Sequence, residues 1–394
     1  MEKQIKIGDS VYKVSSDDNY LEAMGINFEP HMVQLFRALI GPDDVVADIG
    51  ANIGLTAFLF SSLAKQTYAF EPSRSTFRIL SENLARNRIK NVEAINLGLG
   101  NKKETLTITF AKNNRSGGYV SDKIHPQTGH VTEEICIDTL DEFFPFTAPA
   151  PTFLKIDVEG FEQNVLKGGG DFLQRARPVV VLEMNHFCLD VLQRITIPDF
   201  LDFMRSVFPY LYAVDTDNKT IIDLHVPDSA YMVMHEHVVK HRFPNLVGGF
   251  DAKLKEKLAA LKTEITFKTP ALSRPLGKII TQTSDANVTA GSLFEISVSV
   301  TNESKETWCG YGDHPVFLSY HWTRDGSGFL IYDGLRSELM KPEVTPGETL
   351  EQQIRIEAPQ ERGRFKLVLT LVQEGVCWFE DRGFEPALLN IEVS

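Results

Sequence analysis

The ten residues VVADIGANIG (45–54) restrict this chain more than any other stretch. Val45, Val46 and Ala47 are apolar without alternation, as in a parallel strand covered on both faces. Asp48, Gly50, Asn52 and Gly54 follow at every second position, and the helical run LTAFLFSSLA begins at once. A glycine turn between strand and helix lets a ligand come close to the backbone, and the helix start offers unpaired N–H groups. Doubly wound α/β folds hold nucleotide-like cofactors in this way.

The rest of the chain sets the frame. At 394 residues it exceeds one ordinary core, so two domains are expected. A formal charge of −13 excludes nucleic acid as a natural partner and disfavours an anionic membrane surface. No apolar run reaches the roughly 20 residues that span a bilayer. MEKQIKIGDS lacks the apolar centre of a signal peptide. A cytoplasmic location is the expectation. Cys136, Cys188, Cys309 and Cys377 lack CxxC spacing and read as reduced thiols.

Strand and helix patterns alternate from Val45 to about His237: VVADIG, TYAFE, NVEAINLGL, FLKIDVEG and PVVVLEMN as strands with helices between them. YLYAVDT and YMVMHEH read as a closing antiparallel edge pair. This order predicts a Rossmann-like, mostly parallel sheet with helices on both faces. The polar, glycine-containing stretch Asn113–Gly129 reads as a mobile cover or an exposed hairpin loop. AKLKEKLAALKTEI reads as a connector helix. From Leu272 onward, short strands alternate with turns at Thr289–Gly291, Asp325–Gly328, Pro346–Gly347 and Glu361–Gly363, which predicts an all-β sandwich of immunoglobulin-like type. The expected division is 1–244, a linker at 245–271, and 272–394.

The loop also selects its cofactor. Gly50-Ala51-Asn52-Ile53-Gly54 lacks the G-x-G-x-x-G spacing of a dinucleotide site, which disfavours a nicotinamide-dependent oxidoreductase. A carboxylate at Asp48 suits a ligand with cationic groups and no pyrophosphate, such as S-adenosylmethionine. Glu71 closes the next strand, where a carboxylate can accept both ribose hydroxyls. The competing reading makes Asp48 and Glu71 helix caps. Their occurrence at consecutive strand ends favours the cofactor.

The blocks VVADIGANIGLTAFLFS, AFEPSRSTFRILSENL, NLGLG, TLD, FLKIDVEGFEQNVLKGG and PVVVLEMN resemble the FkbM family of S-adenosylmethionine-dependent methyltransferases, in order and in spacing. The resemblance runs from Phe28 to Val239. It implies a class I methyltransferase fold and methylation of hydroxyls on sugars, polyketides or other secondary metabolites. It implies a cofactor set of Asp48, Gly50, Asn52, Gly54, Glu71, Pro72, Leu97 and Asp157. Ligand sites of parallel sheets lie beyond the carboxyl ends of the strands. His186 is accordingly the expected general base, with Asp157 as the other candidate. Glu159, Glu183 and Asn185 are expected on the acceptor. Asp157, Glu159 and Glu183 could instead supply oxygen ligands to Mg2+, or Glu159 could cap the next helix.

Trp308, Trp322 and Trp378 all lie in the C-terminal part. Trp322 reads as core, while Trp308 and Trp378 stand near turns, where exposed rings could stack on sugar. That part resembles immunoglobulin-like modules appended to enzymes of polysaccharide assembly. The resemblance implies a polysaccharide acceptor that the module positions, or a homo-oligomer that it holds together. The reading is an O-methyltransferase of a sugar in a cell-envelope glycan. Its rivals are a methyltransferase of a small secondary metabolite and a non-catalytic glycan-binding scaffold.

Overall fold

The computed structural model describes every residue except 23, 127, 146–149, 218, 263–268, 284, 325 and 326. It separates into two compact units, residues 1–3, 7–24 and 28–264, and residues 4–6, 25–27 and 265–394. Among the described residues no helix is long and apolar enough to cross a membrane.

The first unit is built on an eight-stranded sheet. Its strands are β1 (Val45–Ile49), β2 (Gln66–Phe70), β3 (Val92–Ile95), β4 (Phe153–Ile156), β5 (Val179–Glu183), β6 (Tyr210–Asp215), β7 (Thr220–Asp223) and β8 (Asn245–Gly249). The spatial order is β3-β2-β1-β4-β5-β8-β6-β7. β1 to β5 are mutually parallel, whereas β8 runs antiparallel to both β5 and β6. The strand order reverses between β1 and β4, the position at which such sheets open a ligand crevice. Apolar residues of β1, β4 and β5 are wholly buried, and the fifth-strand helix Ile197–Val207 packs Phe200, Leu201 and Met204 into the same core.

Three expectations need correction here. YMVMHEH is not a strand: it lies in the helix Ser229–Lys240, whose Ser229, Val233 and His237 are buried at four-residue spacing. NLVGG, expected inside the linker, is β8 and lies between β5 and β6. Gly248 is needed there because a side chain would run into the Phe208 ring. The methyltransferase-type sheet therefore continues past 244. The antiparallel edge pair is instead β6 with β7.

The stretch at Asn113–Gly129 also differs. Asn114–Val120 is a strand of a separate four-stranded sheet with Gly98–Leu99, Glu104–Ala111 and His130–Asp138. Its inner residues Ile108, Phe110, Ile135 and Ile137 form a small core of their own. Gln127, in the same stretch, lies outside the described residues.

The connector helix is Leu254–Ala259, and the end of the expected run, from 263, lies outside the described residues. In the second unit, strands Gly277–Ile280, Leu293–Asn302 and Thr349–Glu357 form one sheet. Asp285–Val288, Ala387–Val393, Gly363–Gln373, Val316–Arg324 and Ser327–Ile331 form the path of the other. Both contribute to a single core around Trp308 and Trp322. Trp308 is fully buried, so of the two tryptophans considered for exposure only Trp378 reaches the surface in part. The turn expected at Asp325–Gly328 begins outside the described residues.

A Cβ added at Gly248 would lie 2.6 Å from the Phe208 ring, and β8 is pinned on both sides. Gly248→Ala should cost about 1–3 kcal/mol, as overpacked cores do. Thermal unfolding would then show a midpoint several degrees lower. An unchanged midpoint would mean that 245–249 does not serve as a packed strand.

Candidate active site

The register of the sheet builds the site. Lys155 on β4 stands opposite Asp48 on β1, and on its other side opposite Val181 on β5. Side chains two residues apart share a face. Asp157 therefore falls on the face of Lys155, and Glu183 on that of Val181. Asn245 on β8 stands opposite Glu183. One face thus carries Asp48, Lys155, Asp157, Glu183 and Asn245 around the carboxyl ends of the central strands.

Lys155 joins these groups, and the sequence reading missed it. Its Nζ lies 3.4 Å from Asp48 and 3.3 Å from Asp157, and donates to the Gly50 carbonyl at 3.0 Å. Burial works against its charge, but Asp157 and Asp48 outweigh that and hold its pKa above the ordinary lysine value. Asp48 is fully buried and also accepts from the Thr56 hydroxyl at 2.6 Å. The available signal was a lysine and an aspartate of opposite sign inside two strands that otherwise read as wholly buried.

The glycine turn is shaped around the same point. Gly50 has φ +83, and a Cβ there would stand 1.9 Å from the Asp157 carbonyl oxygen. Gly54 has φ +102 at the start of the helix Leu55–Leu63, where a Cβ would meet Leu80 at 2.7 Å. Only glycine meets both demands at either position. Asn52 lies between them with φ 49, and its N–H donates to Glu71 at 3.0 Å. The Ser73 N–H donates to the other Glu71 oxygen, also at 3.0 Å. Each carboxylate oxygen keeps a lone pair. Burial raises the Glu71 pKa to about 7, against the pull of these two N–H groups. Glu71 does not cap the following helix, since Ser73 accepts from Thr76 there.

Two cavities meet over this turn. The larger, about 290 Å³, is lined by Tyr20, Glu29, the 50–56 turn, Lys155, Asp157, Glu183 and Asn245, among others. The smaller, about 80 Å³, lies between Glu71, Pro72, Leu97 and Phe161 on one side and Ile108, Phe110 and Arg115 of the four-stranded sheet on the other. Gly50, Asn52 and Asp157 line both.

The expected site residues divide accordingly. Gly50, Asn52, Glu71, Pro72, Leu97 and Asp157 line one or both cavities. Asp48 does not: it is fully buried, paired with Lys155 and bonded by Thr56, and it positions the turn from beneath. Gly54 likewise acts through packing. Glu183 faces the larger cavity beside Asp157. Burial, then the charges of Asp157, Glu159 and Glu162, push its pKa up to about 9. Glu159 lines the smaller cavity, and the Cys188 thiol donates to it at 3.1 Å. It caps no helix; Glu162 accepts from the Val158 and Gly160 N–H groups instead.

Two expectations fail on position. His186 lines neither cavity. Its ring packs on His237 and His241, and its backbone N–H donates to His237 Nε2 at 3.4 Å. Asn185 accepts from the Cys188 N–H at 3.3 Å and is likewise turned to local structure. Both follow a strand end, but the chain turns there directly into the π-helical segment Cys188–Gln193. The metal set also fails. Among the described residues no group of three or more His, Cys, Asp and Glu side chains is placed to hold an ion. Asp157 is paired with Lys155 and Glu159 accepts from the Cys188 thiol, while Glu183 stands beside Asp157.

A Rossmann-like sheet with this crevice, a glycine turn and a ribose-type carboxylate after β2 defines the class I S-adenosylmethionine-dependent methyltransferases. Residues 48–210 match the family model of the methyltransferase FkbM domain. The hexuronic acid methyltransferase AglP of Haloferax volcanii is 29% identical over 170 residues, covering 43% of this chain and 68% of that protein. Methyltransferase 1 of Beauveria bassiana is 28% identical over 190 residues, covering 43% and 76%. The crystal structure of methyltransferase FkbM from Methylobacillus flagellatus aligns with a TM-score of 0.33 at 19% identity, over 52% of this chain and 43% of that one.

Replacing Lys155 by Met would leave the buried Asp48 carboxylate with Thr56 alone. Breaking one side of a buried pair costs about 3–5 kcal/mol. Lys155→Met should lose that much in denaturant unfolding, and Asp48→Asn in the same chain should recover most of it. Equal stability of Lys155→Met and the wild type would remove Lys155 from its central place.

Proposed function

We propose that the protein transfers a methyl group from S-adenosylmethionine to a hydroxyl of a sugar in a cell-envelope glycan or its precursor. The observation that carries this reading is the pair of cavities joined at Gly50, Asn52 and Asp157. One suits an adenosine and the other leaves room for an acceptor. The name of the Haloferax relative, a hexuronic acid methyltransferase, supports a sugar as that acceptor. The acidic balance of the chain and its four free cysteines suit the cytoplasm.

The residues present fit the cofactor. Glu71 would accept from both ribose hydroxyls with the lone pairs its two N–H partners leave open. Pro72, Leu97 and Phe161 would wall the base against the Ile108 and Phe110 side of the four-stranded sheet. The N–H groups at the start of the helix Leu55–Leu63 would receive a carboxylate. The cofactor supplies an electrophilic methyl group on a positively charged sulfur. Asp157, at the junction, would accept the proton that the hydroxyl loses, and it replaces His186 as the base of this reading. The surrounding walls would hold the acceptor in line and keep water out.

The β-sandwich unit would meet the glycan chain. Phe329 and Tyr332 are exposed beside the half-buried Trp378, with the Arg336 guanidinium 5.0 Å from the Trp378 ring. His321, buried beneath them, is fixed to Glu380 at 2.6 Å.

Incubation with methyl-labelled cofactor and extracted envelope polysaccharide should label the polysaccharide on oxygen. Labelling of small hydroxyl compounds alone would overturn the glycan acceptor, and methyl groups found only on nitrogen would overturn the reaction type.

The ribose site also predicts a pH dependence. Glu71 titrates at about 7 in the empty site and must be ionised to accept from two hydroxyls. Binding of S-adenosylhomocysteine should weaken as pH falls below 7, level off above 8, and release a proton near neutrality. Calorimetry in buffers of different ionisation enthalpy would show it. Glu71→Gln should lower affinity about tenfold or more and flatten the profile.

A further inference from the structure

The larger cavity has a marked charge pattern that the proposed reaction alone does not require. Its titratable acidic and basic lining residues are Glu29, His31, Lys155, Asp157 and Glu183. Three of the five are carboxyls. Glu29 is exposed at the mouth, Asp157 is 43% exposed, and Glu183 lies beside Asp157 further along the sheet. Neither of the two basic groups is uncommitted. Lys155 holds Asp48, Asp157 and the Gly50 carbonyl, and His31 stands 3.4 Å from Asp217. The remaining polar lining is neutral and includes Tyr20, Asn52, Thr56 and Asn245.

An anionic acceptor would therefore enter against the Glu29 and Asp157 carboxylates, with no free cation among the described lining residues to receive it. Like charges within a few ångströms repel substantially at the effective dielectric of a protein surface. Recruiting Lys155 to the acceptor would also uncover the buried Asp48, which the fold does not tolerate cheaply. A neutral polyol meets none of these penalties. Its hydroxyls can donate to Asp157 and Glu29, and accept from the Asn245 amide and the Tyr20 hydroxyl.

Resting on the sugar O-methyltransferase reading, we infer that the acceptor ring is a sugar without an anionic group, unlike the hexuronic acid of the Haloferax relative, and that the Glu29 and Asp157 carboxylates set this preference. In the transfer, the acceptor oxygen forms a bond to the methyl carbon as the carbon–sulfur bond breaks onto sulfur. The oxygen–hydrogen bond breaks at the same time, and its proton passes to Asp157. Glu29 takes no part in that step. It acts on specificity through its charge at the mouth.

The test compares three probes of one size: a methyl hexopyranoside, the corresponding methyl hexuronoside, and a 2-amino methyl hexoside. Binding to the full chain saturated with S-adenosylhomocysteine is measured by ligand-observed NMR, and O-methylation is followed separately with labelled cofactor. The neutral glycoside should be preferred over the uronoside by about tenfold or more in both measurements. Glu29→Lys should narrow that ratio toward unity while S-adenosylhomocysteine affinity stays as in the wild type. Glu29→Gln should fall between the two. A uronoside bound or methylated as well as the neutral sugar would overturn the inference and leave the sugar reading standing. So would a uronoside preferred over the amino sugar, or a ratio that Glu29→Lys does not move. If none of the three is bound or methylated, the sugar reading itself falls, and this inference with it.

Discussion

The ammonium of Lys155 ties the site together. It connects the ends of β1 and β4 through Asp48 and Asp157, and it fixes the glycine turn through the Gly50 carbonyl. These are the two strands between which the order of the sheet reverses. A crevice opens at that point for topological reasons, but a crevice lined by two carboxylates and no counter-charge would not hold together. Burial makes each unpaired charge expensive, while the paired arrangement is sustained by short distances and by the Thr56 hydroxyl on Asp48. The turn at 50–54 is therefore only as well placed as this buried cluster.

The two cavities follow from the same arrangement. Gly50 must lack a side chain because the Asp157 backbone passes over it, and this contact brings the β1 turn and the β4 end to one point. Glu71 reaches that point from β2, held by the Asn52 and Ser73 N–H groups. Its raised pKa is the consequence of being buried and pre-aimed before any ligand arrives. On the opposite side, Glu183 and Asn245 arrive from β5 and β8. The turn thus stands between the two cavities, with Asp157 lining both.

Much of this was legible in the chain. The strand–turn–helix at 45–54, Glu71 after the next strand and the 153–167 block gave the fold and most of the cavity-lining residues, because hydrophobic runs and glycine positions are local properties. What stayed hidden depended on neighbours far away in sequence. His186 looked catalytic because it follows a strand end, yet the π-helical segment after it turns the ring toward His237 and His241. NLVGG fell in the expected linker, since its place as a strand depends on β5, β6 and the Phe208 ring, all distant in sequence. Lys155 looked like one polar residue in a buried strand, since its partners are set by the register of β4 on β1.

The sequence by itself determined the alternation of strands and helices, the glycine turn, the ribose-type carboxylate and the presence of a separate β-rich unit. Each of these rests on periodicity, composition or short spacing, which a linear reading can see. Tertiary structure alone decided which polar side chains meet. It paired the buried Asp48 with Lys155, kept His186 out of both cavities while placing Asp157 in both, and left no group among the described residues placed to hold a metal. Strand order and register made those choices, because they bring together residues more than a hundred positions apart and bury some charges while exposing others.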